Sequence, residues 1–173
     1  MIKHFSSTRN SYRDEILEVM EKNNEETTPS IQEMTNKWVA EEELGLEDAV
    51  EKFYEERTDQ VLLYHEKGLL KGFFLLEEND EDLKEKIPQY WPHIEVALGI
   101  VKQEFRGKGI AQRLFEETEK IMNKEGLENL VWVTSTANKA SQNFAQKQGL
   151  EEATKFSEDR EDDQKTVILA KKV

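Results

Sequence analysis

None of the 173 residues is a cysteine, which excludes a disulfide framework, a zinc-thiolate site and any covalent mechanism that uses a cysteine thiol. No run approaches the roughly 20 apolar residues of a membrane span. The opening MIKHFSSTRN also has no apolar core of signal-peptide length, so the cytoplasm is the expected location. Positive charge is scarce: 24 Lys and Arg stand against 37 Asp and Glu, a formal net charge of -13. That balance repels nucleic-acid phosphates and anionic lipid, so neither nucleic acid nor a membrane is expected as a partner. It favours a cationic small molecule or basic peptide, although the same acidity also serves plain solubility. Two familiar phosphate fingerprints are missing as well, since no Gly-Lys-Ser/Thr ending and no third glycine of a dinucleotide loop occurs.

What is present reads as a folded chain. Hydrophobic residues make up only 36% and charged residues 35%, yet the apolar ones recur with helix or strand periods along most of the length. The length suits a single domain spanning 1-173, as a monomer or homodimer. A short strand, Ile2 to Phe5, precedes a helical pattern over Ser11 to Lys22. Ser30 with Glu33 forms a capping-box signature for a helix carrying Ile31, Met34 and Trp38, which Gly45 is expected to end. A further helix covers Leu46 to Arg57. Val61 to His65 and Leu69 to Leu76 flank Glu66-Lys67-Gly68 and predict an antiparallel hairpin. Glu77 to Gln89 is acidic, ends at Pro88, and reads as an exposed excursion with a turn of helix. Strand His93 to Lys102, helix Gly107 to Glu125 with Gly126 as its cap, strand Leu130 to Thr134 and helix Asn138 to Gln148 follow. The chain closes with strands near Ala153 to Phe156 and Thr166 to Ala170, around an acidic loop, Glu158 to Gln164. The class is mixed α/β (α+β).

The junction from Val101 to Ala111 is the strongest local signal. A strand feeds through Gly107 and Gly109 directly into a helix, and glycine lets the backbone approach a phosphate closely. The first turn of that helix offers unpaired N-H groups at the positive end of its dipole. Arg106, Lys108 and Arg113 concentrate positive charge in an otherwise acidic chain. Taken alone, the glycines also fit an ordinary basic turn.

With its neighbours, Arg106-x-x-Gly109-x-Ala111 resembles the acetyl-CoA loop, Arg/Gln-x-x-Gly-x-Gly/Ala, of the GNAT superfamily of N-acetyltransferases. Downstream, Asn138-Lys-Ala-Ser141-Gln-Asn-Phe144-Ala145-Gln-Lys-Gln-Gly149-Leu150 is similar to the family's Asn-x-x-Ala-x-x-Phe-Tyr-x-x-x-Gly-Phe segment. The matching element order covers roughly residues 61 to 173, the acetyl-CoA-binding core, while residues 1-60 match only in helical character and correspond to the acceptor side. The resemblance implies a mixed, mostly antiparallel sheet of about six to seven strands flanked by about four to five helices. It also implies acetyl-CoA as co-substrate and transfer of its acetyl group to an amine. The coenzyme would be held by Gly99, Ile100 and Val101 of the splayed fourth strand, by the loop residues Arg106, Gly107, Lys108, Gly109, Ile110, Ala111 and Gln112, and by Asn138, Ser141 and Phe144.

One departure from the family concerns the chemistry. A tyrosine that protonates the departing thiolate usually follows the phenylalanine, and here the position holds Ala145. Ser141, a nearby tyrosine or water is left for that task. The attacking amine must be neutral, and at a pKa near 10.4 only about one part in a few thousand is neutral at pH 7, so a base is useful. Glu95 resembles a carboxylate that some members carry on this strand, and alternation puts it on one face with Ala97 and Gly99. His93 is the weaker alternative. A solvated or salt-bridged carboxylate and a structural histidine are the competing readings. Trp38, Tyr54, Tyr64, Tyr90 and Trp91 are candidates for an acceptor pocket or for core and rim. The acidic groups Glu77 to Asp82 and Glu158 to Asp163 either steer a cationic acceptor or are solvated. His4 and His65 stand apart from any ligand spacing, so no metal is inferred. Two other readings use the same loop: a non-catalytic acyl-CoA-binding sensor, and a nucleotide-binding module that ATP or NAD would stabilise.

Overall fold

The computed structural model describes residues 1-7, 11-27, 30-39, 43-157 and 165-173, with backbone alone for Lys37, Trp38 and Ser157. Thr28-Pro29, the acidic loop from Glu158 and the Trp38 side chain therefore lie outside the described residues. Among the described residues seven strands occur, β1 (Ile2-Ser6), β2 (Gln60-Glu66), β3 (Leu69-Glu78), β4 (His93-Val101), β5 (Asn129-Ser135), β6 (Glu151-Ser157) and β7 (Lys165-Lys172). Among the described residues the α-helices are α1 (Arg13-Lys22), α2 (Ile31-Trp38), α3 (Leu46-Glu56), α4 (Glu81-Lys86), α5 (Ile110-Glu125) and α6 (Lys139-Lys147). The strands are hydrogen-bonded in the order β1-β2-β3-β4-β5-β7-β6. The pairs β1-β2, β2-β3, β5-β7 and β6-β7 are antiparallel, whereas β4-β5 is parallel. A parallel pair needs a crossover, and α5 supplies it. This is the mixed, mostly antiparallel sheet expected from the sequence. No helix among the described residues is long and apolar enough to cross a membrane.

The chain divides into two compact units, one of Met1-Leu76 with Leu98-Leu114 and one of Glu77-Ala97 with Phe115-Val173. In the first unit, α1 turns Ile16, Val19 and Met20 inward and α3 turns Val50, Phe53 and Tyr54 inward. They pack with Ile31 of α2 on Val61, Leu63, Leu70, Phe73 and Leu75 of the β2-β3 hairpin and on Leu98 and Ile100 of β4. The helical period in the sequence thus becomes one apolar stripe per helix. The capping box forms as expected: Ser30 Oγ accepts from the Glu33 N-H (3.2 Å), and the Glu33 carboxylate accepts from the Ser30 N-H (2.7 Å). Gly45 does not end α2, which stops at Trp38; with φ of -62° it is the N-cap of α3, and its carbonyl accepts the Ala49 N-H at 2.9 Å. A helix-ending glycine needs a positive φ, which Gly45 lacks. The hairpin turns through Lys67 (φ 54°) and Gly68 (φ 78°), a two-residue loop whose left-handed pair matches strand twist. At Gly72 an added Cβ would stand 2.9 Å from the Ile100 carbonyl oxygen, so β3 and the end of β4 meet there without room for a side chain.

In the second unit, the acidic stretch after β3 is more structured than its composition suggests. Asp80 caps α4 by accepting the Asp82 N-H at 2.8 Å, and a 3-10 turn, Pro88-Tyr90, follows. Leu83 and Ile87 are buried against Val131, Ile168 and Ala170. Two apolar residues four apart are enough to fix a helical turn on a sheet, although charged neighbours hide them in the sequence. At the start of α6, Asn138 Oδ1 accepts the Ser141 N-H at 3.0 Å, and after its end Gly149 takes φ of 86°.

Candidate functional site

The loop after β4 is built by short local bonds in the first unit. Lys102 N-H donates to the Lys71 carbonyl (3.0 Å), and a 3-10 turn, Gln103-Phe105, brings the chain round to Arg106. Arg106 Nε donates back to the Val101 carbonyl at 2.9 Å, and its guanidinium pairs with Glu26. Gly107 and Gly109 have φ of 72° and 74°, and a Cβ added at either would meet no protein atom within 4 Å. Both glycines therefore face space that a ligand can enter, with a backbone shape that other residues resist. Lys108 is tied to the Glu104 carbonyl (2.8 Å). Helix α5 begins at Ile110, its first bond running from Arg113 N-H to the Gly109 carbonyl (3.1 Å). The first-turn amides that precede Arg113 lie ahead of the helical ladder and carry the positive end of the dipole. Charge, open space and amide donors here suit a pyrophosphate. Arg113 itself leans away, donating to the Tyr64 hydroxyl at 3.0 Å. Gly99 is exposed in β4, while Ile100 is buried and Val101 half-buried.

In the second unit, α6 and β5 hold the other residues of the downstream motif. Phe144 packs on Trp132 (centroids 5.4 Å apart) and edge-on to Phe115 (6.0 Å). Trp132 Nε1-H donates to Ser141 Oγ at 2.8 Å. Ala145 is fully buried, so its methyl is enclosed by protein.

β4 carries both base candidates in this same unit. Glu95 is only 2% exposed, which removes the solvated-carboxylate reading. Its carboxylate, with those of Glu77 and Asp80, forms a group whose oxygens lie within 4.8 Å of one another. Donor atoms bound to one ion at about 2.4 Å can be no further apart than this, so the trio is spaced to share a positive charge, metallic or organic. His93, on the same strand face, is fully buried against Trp91, with ring centroids 5.5 Å apart. Its backbone is clasped by Asn79, N-H to Oδ1 and carbonyl to N-H, each at 3.1 Å. Neither ring nitrogen makes a hydrogen bond of good geometry. Burial pushes the imidazole below its ordinary pKa, against the opposing pull of Asp80 and the Tyr90 backbone. The folded state therefore holds His93 neutral where the unfolded chain, near pH 6.5, takes up a proton. Its contribution to stability is present above about pH 6.5 and is lost as pH falls from there through the lower folded pKa. Urea unfolding of His93→Gln is expected to show a shallower loss of stability over that window; an unchanged slope would show that other groups carry it.

The profile of the Acetyltransferase (GNAT) family matches residues 30-150, more than half of the chain. This chain belongs to the GNAT family. Its fold is that of GNAT proteins of known structure. An N-acetyltransferase from Staphylococcus aureus Mu50 superposes with a TM-score of 0.68 at 18% identity, covering 99% of this chain and 97% of that one. The ribosomal-protein-alanine N-acetyltransferase of Brucella melitensis gives 0.67 at 17% identity, covering 100% and 99%. An aminoglycoside 6'-N-acetyltransferase complexed with coenzyme A gives 0.66 at 15%, covering 99% and 96%. No curated protein is significantly similar in sequence.

Several residues around the GNAT motifs do not stand out in the sequence. Glu26 pairs with Arg106 from 80 positions away, and no local pattern announces that. Trp132 is different, because a tryptophan inside a buried strand needs an acceptor for its N-H, and that rule points to a partner. Of the aromatic acceptor candidates, Tyr54 is core, with its hydroxyl 3.3 Å from the Ser7 carbonyl, and Tyr64 is buried under Arg113. Tyr90 is half-buried and packs on the cluster of Leu83, Ile87 and Val131, while Trp91 is half-buried with the Lys84 ammonium 4.4 Å from its ring centroid.

Proposed function

We propose that the protein is an acetyl-CoA-dependent N-acetyltransferase acting on a primary amine of a cationic small molecule or basic peptide, by direct attack within a ternary complex. The observation that carries this reading is the strand-turn-helix from Val101 to Arg113, with two left-handed glycines facing open space ahead of a helix N-terminus. Acetyl-CoA supplies an activated acyl group with a thiol, of pKa about 8.5, as its leaving group. The loop amides with Arg106 and Lys108 hold the pyrophosphate, and a backbone N-H near Ile100 and Val101 polarises the carbonyl. Glu95 takes a proton from the acceptor's ammonium group and so frees the neutral amine that attacks, and the neighbouring carboxylates of Glu77 and Asp80 favour a positively charged acceptor. Neutral His93 stays a structural neighbour of that base. The cytoplasm is the proposed place of action.

A non-catalytic acyl-CoA sensor is the second reading, and Ala145 in place of the family's tyrosine is what favours it. Two measurements separate them. Acetyl-CoA at about 100 times its dissociation constant is expected to stabilise the protein by roughly 2.7 kcal/mol, whereas ATP and NAD leave it unmoved. Thiol release is then followed with small polyamines, aminoglycosides and N-terminal peptides. Stabilisation without release by any amine would establish the sensor, and absence of stabilisation would remove both readings.

A further inference from the structure

Two residues 80 positions apart meet at the coenzyme loop, and both belong to the first unit. Arg106 is steered by its Nε, which donates to the Val101 carbonyl at 2.9 Å, and its Nη2 donates to the Glu26 carboxylate. Glu26 is presented from an equally fixed backbone. It ends a 3-10 turn, Asn24-Glu26, between α1 and α2, and its N-H donates to the Asn23 carbonyl at 3.0 Å. Asn24 anchors that turn: it is 3% exposed, its Oδ1 accepts the Gln32 N-H at 3.0 Å, and its carbonyl accepts the Thr27 hydroxyl at 2.8 Å. A carboxylate held this way loses less freedom on pairing than one on a loose surface chain. Lys108, the neighbouring cation of the loop, is different. Among the described residues it bonds to the Glu104 carbonyl and pairs with no carboxylate.

We infer that Glu26 is an internal competitor of the coenzyme for Arg106, and so sets how anionic a ligand must be before the loop accepts it. The inference rests on the acetyl-CoA reading above, in which Arg106 holds a phosphate. The guanidinium fork fits a carboxylate and a phosphate alike, but the two acceptors cannot take the same N-H. A bound pyrophosphate also brings negative charge close to the Glu26 carboxylate, and the two repel. Both effects favour exchange: the guanidinium turns from Glu26 to phosphate while its Nε stays on Val101. The pair is weak enough to yield, since its side chains are 49% and 44% exposed. A pyrophosphate, which also draws on the loop amides, displaces the carboxylate. A singly charged anion, matching Glu26 in charge, does not.

The test is calorimetric titration of CoA into wild type, Glu26→Gln and Glu25→Gln at low salt. Glu25 is the neighbouring acid of the same turn, exposed and without an ion pair among the described residues, so its substitution changes net charge equally. Glu26→Gln is expected to bind CoA about 3- to 10-fold more tightly than wild type, the scale of releasing one half-exposed ion pair and its repulsion of phosphate. Glu25→Gln is expected to change affinity by less than about 2-fold. The Glu26→Gln gain should shrink as salt rises to about 1 M, where the screening length is roughly 3 Å. In an Arg106→Gln background the gain should largely vanish, because no guanidinium remains to be released. If CoA binds none of the proteins, the acetyl-CoA reading fails. If CoA binds and Glu26→Gln binds it no more tightly than Glu25→Gln, Glu26 is no competitor and the coenzyme loop stands. A gain that is indifferent to salt, or that persists in full without Arg106, overturns the inference in the same way.

Discussion

Replacing Gly109 by valine is expected to weaken acetyl-CoA binding by about 100-fold or more while the protein remains folded. Gly109 has φ of 74°, a region a β-branched residue enters only at a cost of roughly 1-2 kcal/mol. No protein atom opposes the added Cβ, so the fold is spared a clash and the strain is relieved by rotation of the adjoining peptides. Those peptides begin α5, and rotating them turns the amides away from the phosphate. Each hydrogen bond to a charged acceptor contributes about 1.5-3 kcal/mol, and losing two removes two or more orders of magnitude. Gly126→Val is the matched control. It has nearly the same φ, 73°, and equally open surroundings at the far end of the same helix. It should lose comparable stability in urea unfolding and bind acetyl-CoA normally in calorimetry. Equal loss of binding in both variants would show that Gly109 acts through the fold alone.

Glu95→Gln is expected to lower kcat/KM by about 100- to 1,000-fold near pH 7, the range typical of a general base. The deficit should shrink as pH rises towards the pKa of the amine. A neutral nucleophile becomes available from solution there, and the base is needed less. The substitution keeps the volume of a side chain that is 2% exposed and removes one negative charge from a trio spaced within 4.8 Å. Two such charges repel by roughly 3 kcal/mol at an effective dielectric of about 20. Stability should therefore hold or rise while activity falls, a separation that excludes misfolding as the cause. Rates across pH 6 to 10 beside thermal unfolding of both proteins make the comparison. A parallel displacement of the two pH-rate profiles would remove Glu95 as the base.

Features written in neighbouring residues are legible in the sequence itself. The Ser30-Glu33 box, the Lys67-Gly68 turn and the strand-turn-helix junction from Arg106 to Ala111 each depend on a few consecutive side chains, and each has the backbone its residues demand. Gly45 misleads because glycine suits both ends of a helix, and only its φ decides between them. The sequence understates α4 because Leu83 and Ile87 sit among charges, and their burial depends on Val131 and Ile168, far along the chain. The same distance hides the site's supporting contacts. The carboxylates of Glu77, Asp80 and Glu95 come from a strand end, a helix cap and a second strand. Trp132 and Ser141 meet only because β5 and α6 fold against each other.

The enclosed methyl of Ala145 also limits what that position can become. A tyrosine at that position would need room for a ring and a hydroxyl where packed neighbours now stand, and overpacking of this kind typically destabilises by about 1-3 kcal/mol or more. Ala145→Tyr alone would therefore cost stability before a hydroxyl there could help turnover. Room for the ring would have to come from smaller side chains at the neighbours that enclose it, so a change of chemistry at this position takes at least two coordinated substitutions.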